Sequence, residues 1–419
     1  MKKQGAKKAV PRLRFPEFRN ALPWNAKLLK DICAVNPSND GLPDSFVYID
    51  LESVEDGQLK AKNRIEKSDA PSRAQRHLRN GDVIFQVVRP YQRNNLYVDF
   101  DDGQQYVAST GYAQLRAKDS ERFLYQAVHV DSFVEGVIAK CTGSNYPAIN
   151  SSDLAEIQVF VPHDAAEQQK IADCLTSLDE LIAAQGRKVE ALKTHKRGLM
   201  QQLFPREGET RPRLRFPEFR NAPEWELHRL GDIASISKGK GISKADIAVE
   251  GRTPCIRYGE LYTLYGEVIE QPLSRTNLPV KELVLSQAGD VIVPASGETK
   301  EDIATSAAVL GAGVALGGDL NIIRLNADGR FFSYYLNGVK RRALAKVAQG
   351  DTVVHLYPRQ LEQLDVVIPV DKREQDHIAD CLSSLDTRIT AESHQLAALK
   401  NQKQGLMQQL FPVPEVTGA

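Results

Sequence analysis

The sequence predicts a mixed α and β chain (α+β) built as an internal pseudo-twofold repeat, with two blocks of mixed α/β structure separated by two long antiparallel coiled-coil helices. Three observations predict it. An eleven-residue segment occurs twice letter for letter, a longer stretch with a 3.5-residue apolar period also occurs twice, and β-branched runs with glycine, proline and asparagine breakers fill the blocks between. A chain of 419 residues has room for two or three domains with real cores. Its 54 basic residues cancel its 54 acidic ones, which excludes a uniformly basic coat and leaves any phosphate binding to local patches.

The N-terminal segment, residues 1–24, opens with four lysines between Met1 and Val10. No apolar segment follows them, so they do not read as a secretory signal, and the cytosol is the expected home. Apolar runs such as Val309 to Leu316 are too short to span a bilayer, so no membrane is expected as a partner. Pro11 to Ala21 reads PRLRFPEFRNA, and Pro212 to Ala222 repeats it within a linker over 206–225. Each copy is followed by a tryptophan, Trp24 or Trp225, and then by Leu29-Lys30-Asp31-Ile32 or Leu230-Gly231-Asp232-Ile233.

The second duplicated stretch aligns Glu167 to Pro205 with Glu374 to Pro412 without a gap, within helices placed at 166–205 and 370–412. Apolar residues Ile171, Leu175, Leu178, Ile182, Val189, Leu192, Leu199 and Leu203 step by fours and threes, with Gln185 and Lys196 at polar steps. Ile378, Leu382, Leu385, Ile389, Leu396, Leu399, Leu406 and Leu410 repeat the spacing, with Glu392 and Lys403 at the matching steps. No proline interrupts either run, and Pro205 and Pro412 act as stops. One apolar seam needs a partner seam, and the other copy is the nearest. The alternative is two hairpins that bury their stripes on their own blocks, but a strict four-three spacing is narrower than the stripe of a globular surface helix. Helices of about 37 residues make a rod of about 55 Å, a spacer between the blocks. Lys196 and Lys403 either fix the register or lie on a frayed end.

The five cysteines, Cys33, Cys141, Cys174, Cys255 and Cys381, form no C-x-x-C. Free, mostly buried thiols are expected, without disulfide or metal. The blocks at 25–165 and 226–369 resemble each other weakly. Asn80-Gly81-Asp82-Val83-Ile84 matches Ala288-Gly289-Asp290-Val291-Ile292, and Ile157 to Pro162 matches Val366 to Pro369 in placement. Strands are expected at Val83 to Val88, Val291 to Val293 and Asp365 to Ile368, and a helix near Phe331 to Lys346. Residues 413–419 form a tail.

Chemistry is sparse in these blocks. Gly239-Lys240-Gly241 lacks the spacing of a phosphate loop, and Gly311-Ala312-Gly313 is an isolated G-x-G. Asp290 followed by Glu298-Thr299-Lys300 has the form of a metal-dependent nuclease triplet, although the matching Asp82 lies in a block without the E-x-K. Recognition of phosphates and bases has more support. Arg73, Arg76, Arg79, Arg89 and Arg93 crowd together with Tyr91, Asn94 and Asn95, and Lys238, Lys240 and Lys244 precede Arg257, Tyr258, Glu260, Tyr262 and Thr263. Arginine and asparagine match the paired donors and acceptors of guanine and adenine edges. A solvated charged face is the alternative, which composition alone favours.

The repeated PRLRFPEFRNA with its tryptophan, the two-block layout and the helices ending in GLMQQLFP resemble the specificity (S) subunit of type I restriction-modification enzymes. The resemblance covers essentially the whole chain. It implies a non-catalytic subunit whose blocks are target recognition domains, each reading one half of an interrupted double-stranded DNA sequence. The helices would form the spacer and dock two methyltransferase (M) subunits, with cleavage by separate restriction (R) subunits, in a bacterial or archaeal cytoplasm. S-adenosylmethionine, ATP and magnesium are then expected on the partners, and no cofactor on this chain. By resemblance, the polar members of Gly239 to Lys244 (with Ser243), of Tyr258 to Tyr262, and of Ser296-Gly297-Glu298-Thr299 lie near bases or phosphates. Arg89, Tyr91, Arg93 and Asn94 are their counterparts in the first block. A metal-dependent endonuclease and a coiled-coil scaffold without DNA preference are the competing readings.

Overall fold

The computed structural model describes residues 8–39, 41–350 and 354–413. Most of the lysine-rich start and all but the first residue of the tail lie outside the described residues. The chain divides into two units, one of Met1–Gln185 with Gln395–Ala419 and one of Gly186–His394.

The heptad stretches form two helices of 39 residues each, Ala165–Leu203 and Lys372–Leu410. In the first unit, Ile171, Leu175 and Leu178 of the first helix share a core with Leu410 of the second, with Leu406 and Met407 packed at its edge. In the second unit, Ile378, Ala379 and Leu382 share a core with Leu203, and Leu199 and Met200 flank it. Each unit therefore pairs the start of one helix with the end of the other, which makes the pairing antiparallel. Ion pairs set the register. Lys403 meets Asp179 at 2.6 Å in the first unit, while Lys196 meets Asp386 at 2.7 Å and Lys188 meets Glu392 at 2.6 Å in the second. The polar steps Lys196 and Lys403 thus lie within the helix pair and face carboxylates, as a buried polar residue that specifies register does.

The letter-for-letter repeat has an equally direct cause. Arg14 Nε and Nη2 donate to Glu167 Oε1 and Oε2 at 2.6 and 2.7 Å, and its Nη1 donates to the Ala21 carbonyl at 2.7 Å. Trp24 Nε1 donates to the same carboxylate at 3.2 Å. In the second copy Arg215 repeats these bonds to Glu374 and Ala222 at 2.7, 2.6 and 2.8 Å, and Trp225 adds one at 3.3 Å. The segment also reaches the other helix. The Leu13 N–H donates to the Gln409 carbonyl and the Leu214 N–H to the Gln202 carbonyl, each at 2.9 Å, using carbonyls that a helix end leaves unpaired. Phe411 then meets Trp24 edge-on at 5.7 Å, and Phe204 meets Trp225 at 6.3 Å.

The two blocks share more than their sequences show. In the first, an antiparallel sheet runs Leu96–Tyr97, Val83–Gln86, Tyr112–Ala117, Cys33–Val35; in the second, Ala307–Val309, Asp290–Pro294, Leu320–Leu325 and Ala234–Lys238 take the same order, with Val268–Ile269 added at the edge. A second sheet begins Asn63–Glu66, Ser45–Ile49, Tyr106–Ser109 in one block and Ser274–Thr276, Thr253–Ile256, Ala315–Leu316 in the other. The last two strands of each trio are parallel. The matched G-D-V-I turn leads into the central strand. Gly81 (φ +88°) and Gly289 (φ +86°) take the left-handed conformation that glycine accepts without strain. Behind each glycine a buried aspartate is gripped by an arginine, Asp82 by Arg116 and Asp290 by Arg324.

The strand expected at Asp365 to Ile368 is present and pairs with Glu226–Arg229. The helix expected near Phe331 to Lys346 is interrupted. Gly329–Tyr335 and Arg341–Val347 are α-helical and Leu336–Lys340 forms a π turn between them. All five cysteines are free, but only Cys33 and Cys255 are buried and the others are half-buried, which corrects the expectation of mostly buried thiols.

Removing one partner from a buried ion pair strands the other charge, at a cost of about 3 to 5 kcal/mol. Glu167→Ala and Glu374→Ala are expected to destabilise the chain by that order in denaturant unfolding, whereas Glu17→Ala, an exposed carboxylate beside Lys170, is expected to change little.

Candidate nucleic-acid interface

In the first unit the central strand Val83–Gln86 runs straight into the arginine-rich loop. Arg89 (φ +54°) and Arg93 (φ +56°) both adopt the left-handed conformation on either side of the turn Pro90–Gln92. Non-glycine residues rarely hold that conformation unless their surroundings impose it. Here Gln86, almost fully buried, supplies much of the restraint. Its backbone N–H donates to Asn95 Oδ1 at 2.8 Å, its Nε2 donates to Gln92 Oε1 at 2.8 Å, and its Oε1 accepts the Asn94 N–H at 3.1 Å. Asn95 in turn contacts His129 Nε2 through its Nδ2 at 3.2 Å, while His129 Nδ1 faces the Tyr125 carbonyl at 2.7 Å. A neutral ring protonated on Nδ1 satisfies both contacts. Burial, reinforced by Lys403, pushes the pKa of His129 down to about 4.

The loop sends its two arginines in different directions. Arg93 turns inward, donating from Nη2 to Asp131 at 2.7 Å and from Nη1 to the His129 carbonyl at 3.2 Å. Arg89 lies over the Tyr146 ring, 4.3 Å from its centroid. Arg73, Arg89, Asn94 and Tyr146 line one cleft of about 910 Å³. Tyr91 stands half in solvent. Arg76, on the strand Ala74–Leu78, is half-buried, its Nε has no hydrogen-bond partner, and burial lowers its pKa.

In the second unit Ser296–Gly297 occupies the place of Val88 and Arg89. Both segments follow the central strand and pair with a returning segment, Ser296 with His355 and Val88 with Ala148. Lys238, ending the strand Ala234–Lys238, sits 5.4 Å from the centre of the Tyr357 ring. Gly239 is a packing glycine, since a Cβ there would come within 2.0 Å of the Gly317 carbonyl oxygen. Lys240, Lys244 and Glu298 are exposed, and Tyr258 is partly so, its ring 6.4 Å from that of half-buried Tyr262.

Other proposed contacts are occupied within the fold. Glu260 is nearly fully buried and accepts from the Arg257 backbone and guanidinium and from Ser274 Oγ. Ser243 bonds Asp246 through both N–H and Oγ, and Thr299 Oγ1 caps the short helix Lys300–Ile303. Gln86, Tyr146 and Tyr357 escaped sequence reasoning. Only their places on or beside the central strand mark them, and none stands in a motif.

The nuclease triplet does not survive. Asp290 Oδ1 accepts from Arg324 Nε at 2.8 Å, and Oδ2 accepts from Arg324 Nη2 at 2.7 Å and from the Gln287 N–H at 2.8 Å. With both oxygens so engaged, Asp290 is a structural carboxylate with the same role as Asp82. Among the described residues no group of three or more histidine, cysteine, aspartate or glutamate side chains is placed to hold a metal.

The family model for the type I restriction modification DNA specificity domain matches residues 62–194 and 223–401, most of both blocks and both helices. The chain belongs to the type I restriction-modification DNA specificity family. The matching model describes a DNA specificity domain. Similar curated proteins include the putative type I restriction enzyme MjaX specificity subunit of Methanocaldococcus jannaschii, 24% identical over 64% of this chain and 61% of that one. The MjaVIII specificity subunit of the same organism is 22% identical over 74% of each chain. The chain thus spans somewhat under two thirds of the first relative and about three quarters of the second. Among solved structures, the type I restriction-modification S subunit from M. genitalium shares the fold, with a TM-score of 0.61 at 16% identity, covering 96% of this chain and 99% of that one. A chain from a type I restriction-modification assembly has a TM-score of 0.52 at 22% identity, covering 93% and 97%.

Within this specificity-family chain, His129 gives the loop Arg89–Arg93 a pH signature. Its folded pKa of about 4 lies below the ordinary 6.5, so between these values the unfolded chain binds the extra proton. Stability from this group is therefore complete above about pH 6.5 and falls as the pH drops toward 4. Thermal melts of the parent chain are expected to show that decline between pH 6.5 and 5, and His129→Gln is expected to flatten it.

Proposed function

We propose that this chain is the DNA-reading subunit of a type I restriction-modification complex and that it binds an asymmetric, interrupted duplex sequence, one half-site per recognition block. One observation carries the reading. The two units share a sheet order and an anchor of identical residues, the repeated PRLRFPEFRNA, yet the loops that leave the same central strand differ: Arg89-Pro90-Tyr91-Gln92-Arg93 in one, Gly297-Glu298-Thr299 in the other. A common frame presenting different side chains suits two readers of two different sequences. Arg73, Arg89 and Asn94 in their cleft and exposed Lys238, Lys240 and Lys244 supply the donors that base edges and phosphates require.

The partners follow from the same reading. The exposed faces of the helix pair dock two methyltransferase subunits, and restriction subunits join through them. S-adenosylmethionine, ATP and magnesium act on those partners. The setting is a bacterial or archaeal cytoplasm, at the nucleoid. Among the described residues no helix is long and apolar enough to cross a membrane.

The helices act as a ruler in this proposal. A helix of 39 residues is about 58 Å long, more than the roughly 34 to 36 Å of one duplex turn. Selection of bound sequences from random duplex DNA, using the full chain with its co-purifying subunits, is expected to return two short motifs at fixed separation. Removing one heptad from each helix, Arg187–Lys193 and His394–Lys400, keeps the seam and shortens each by about 10 Å. The unread gap is then expected to shrink by about three base pairs, at about 3.4 Å per pair. An unchanged gap refutes the ruler, and a single contiguous motif refutes the bipartite reader.

A further inference from the structure

We infer that Arg89, placed over the ring of Tyr146, reads a guanine in the half-site taken by the first unit; the inference rests on the DNA-reading function proposed above. Three features place this arginine apart from its neighbours. The first is fixation. The Arg89 N–H donates to the Pro147 carbonyl at 2.7 Å, and Val88 bridges to Ala148, so the arginine and the tyrosine sit on backbone segments bonded to each other. Pro90 and the left-handed Arg89 backbone (φ +54°) then aim the side chain across the ring.

The second feature is free donors. Stacking a guanidinium on a ring uses its face and leaves the N–H edge available. No hydrogen bond or ion pair of the Arg89 guanidinium occurs among the described residues, whereas Arg14, Arg93, Arg116, Arg215 and Arg324 all clasp a carboxylate. Tyr146 is 65% exposed, so the pair stands at the surface of its cleft. A planar fork with two parallel donors is the complement of the O6 and N7 acceptors on the major-groove edge of guanine.

The third feature is the cleft itself. Glu52, Gln92 and Asn94 line it with Arg73 and Arg89. A phosphate site would be weakened by a carboxylate, whereas a base edge presents donors and acceptors together. In the second unit Gly297 stands where Arg89 does, so this contact belongs to one half-site only.

The test repeats the selection from random duplex DNA on the full chain with its co-purifying subunits, comparing the parent with Arg89→Lys, Arg89→Ala, Tyr146→Phe and Tyr146→Ala. The parent is expected to require G·C at one position of one half-site. Arg89→Lys keeps the charge and loses the fork, and the preference for guanine there is expected to drop by roughly tenfold or more, with the other half-site unchanged. Retained reading of the other half-site also shows that each variant is folded. Tyr146→Phe is expected to keep the preference and Tyr146→Ala to lose most of it. An unaltered motif in Arg89→Lys and Arg89→Ala overturns the inference. So does uniform weakening at every position, which makes Arg89 a phosphate contact. If the parent enriches no bipartite motif, the proposed function fails and this inference falls with it.

Discussion

A buried carboxylate in the first turn of each long helix holds each unit together. Glu167 and Glu374 are almost completely removed from water, and each is satisfied by one arginine fork and one indole N–H. An ion pair of this kind contributes little net stability, because desolvation offsets most of the attraction. Its value here is geometric. A fork of two parallel bonds tolerates little rotation, so the arginine fixes where the repeated segment lies. That segment in turn fixes the tryptophan, and the tryptophan receives the phenylalanine that ends the other helix. This chain of dependence explains why eleven residues survive unchanged in two copies while their surroundings have drifted.

Where the blocks meet the helices, the joint is kept although the residues change. In the first unit Gln126 Nε2 donates to Asp179 at 2.7 Å, and in the second Tyr334 Oη donates to Asp386 at 2.5 Å. Both aspartates also hold the lysine of the opposite helix. Burial raises the pKa of Asp386 in spite of Lys196, so the pair is costly to bury and acts chiefly to specify register. The positions that read DNA in this interpretation lie at the opposite extreme. Gln86, which restrains the first loop, has Pro294 as its counterpart on the second central strand, and Arg89 has Gly297. Structural positions have kept their bonds, and loop positions have not.

The repeat, the helices, their seam and their polar steps were legible in the sequence because each is a local pattern, readable within a few turns of chain. The common topology of the blocks was not. Its strands are two to six residues long and pair across distant segments, so their partners cannot be read from periodicity. The candidate site was legible only as composition. Arg89 and Arg93 look alike in sequence, and what separates them is Asp131, 38 residues farther on, which draws Arg93 inward. Glu260 and Thr299 likewise carried reader chemistry in the sequence and proved to be a buried acceptor and a helix cap. Asp290 resembled a catalytic acid until Arg324, on a neighbouring strand, was seen to occupy both of its oxygens.

The reciprocal seating of the helix ends also orders the birth of the molecule. The second unit is one continuous stretch, Gly186–His394, and every part it needs has been made by the time its last residue is added. The first unit is split around it, and Phe411 must return to Trp24 and Phe123 across almost the whole length of the chain. Loop closure over such a span is slow compared with local helix formation. During synthesis the aromatic seat beside Trp24 therefore stays open until the other unit is complete. The unit begun before the other therefore closes after it.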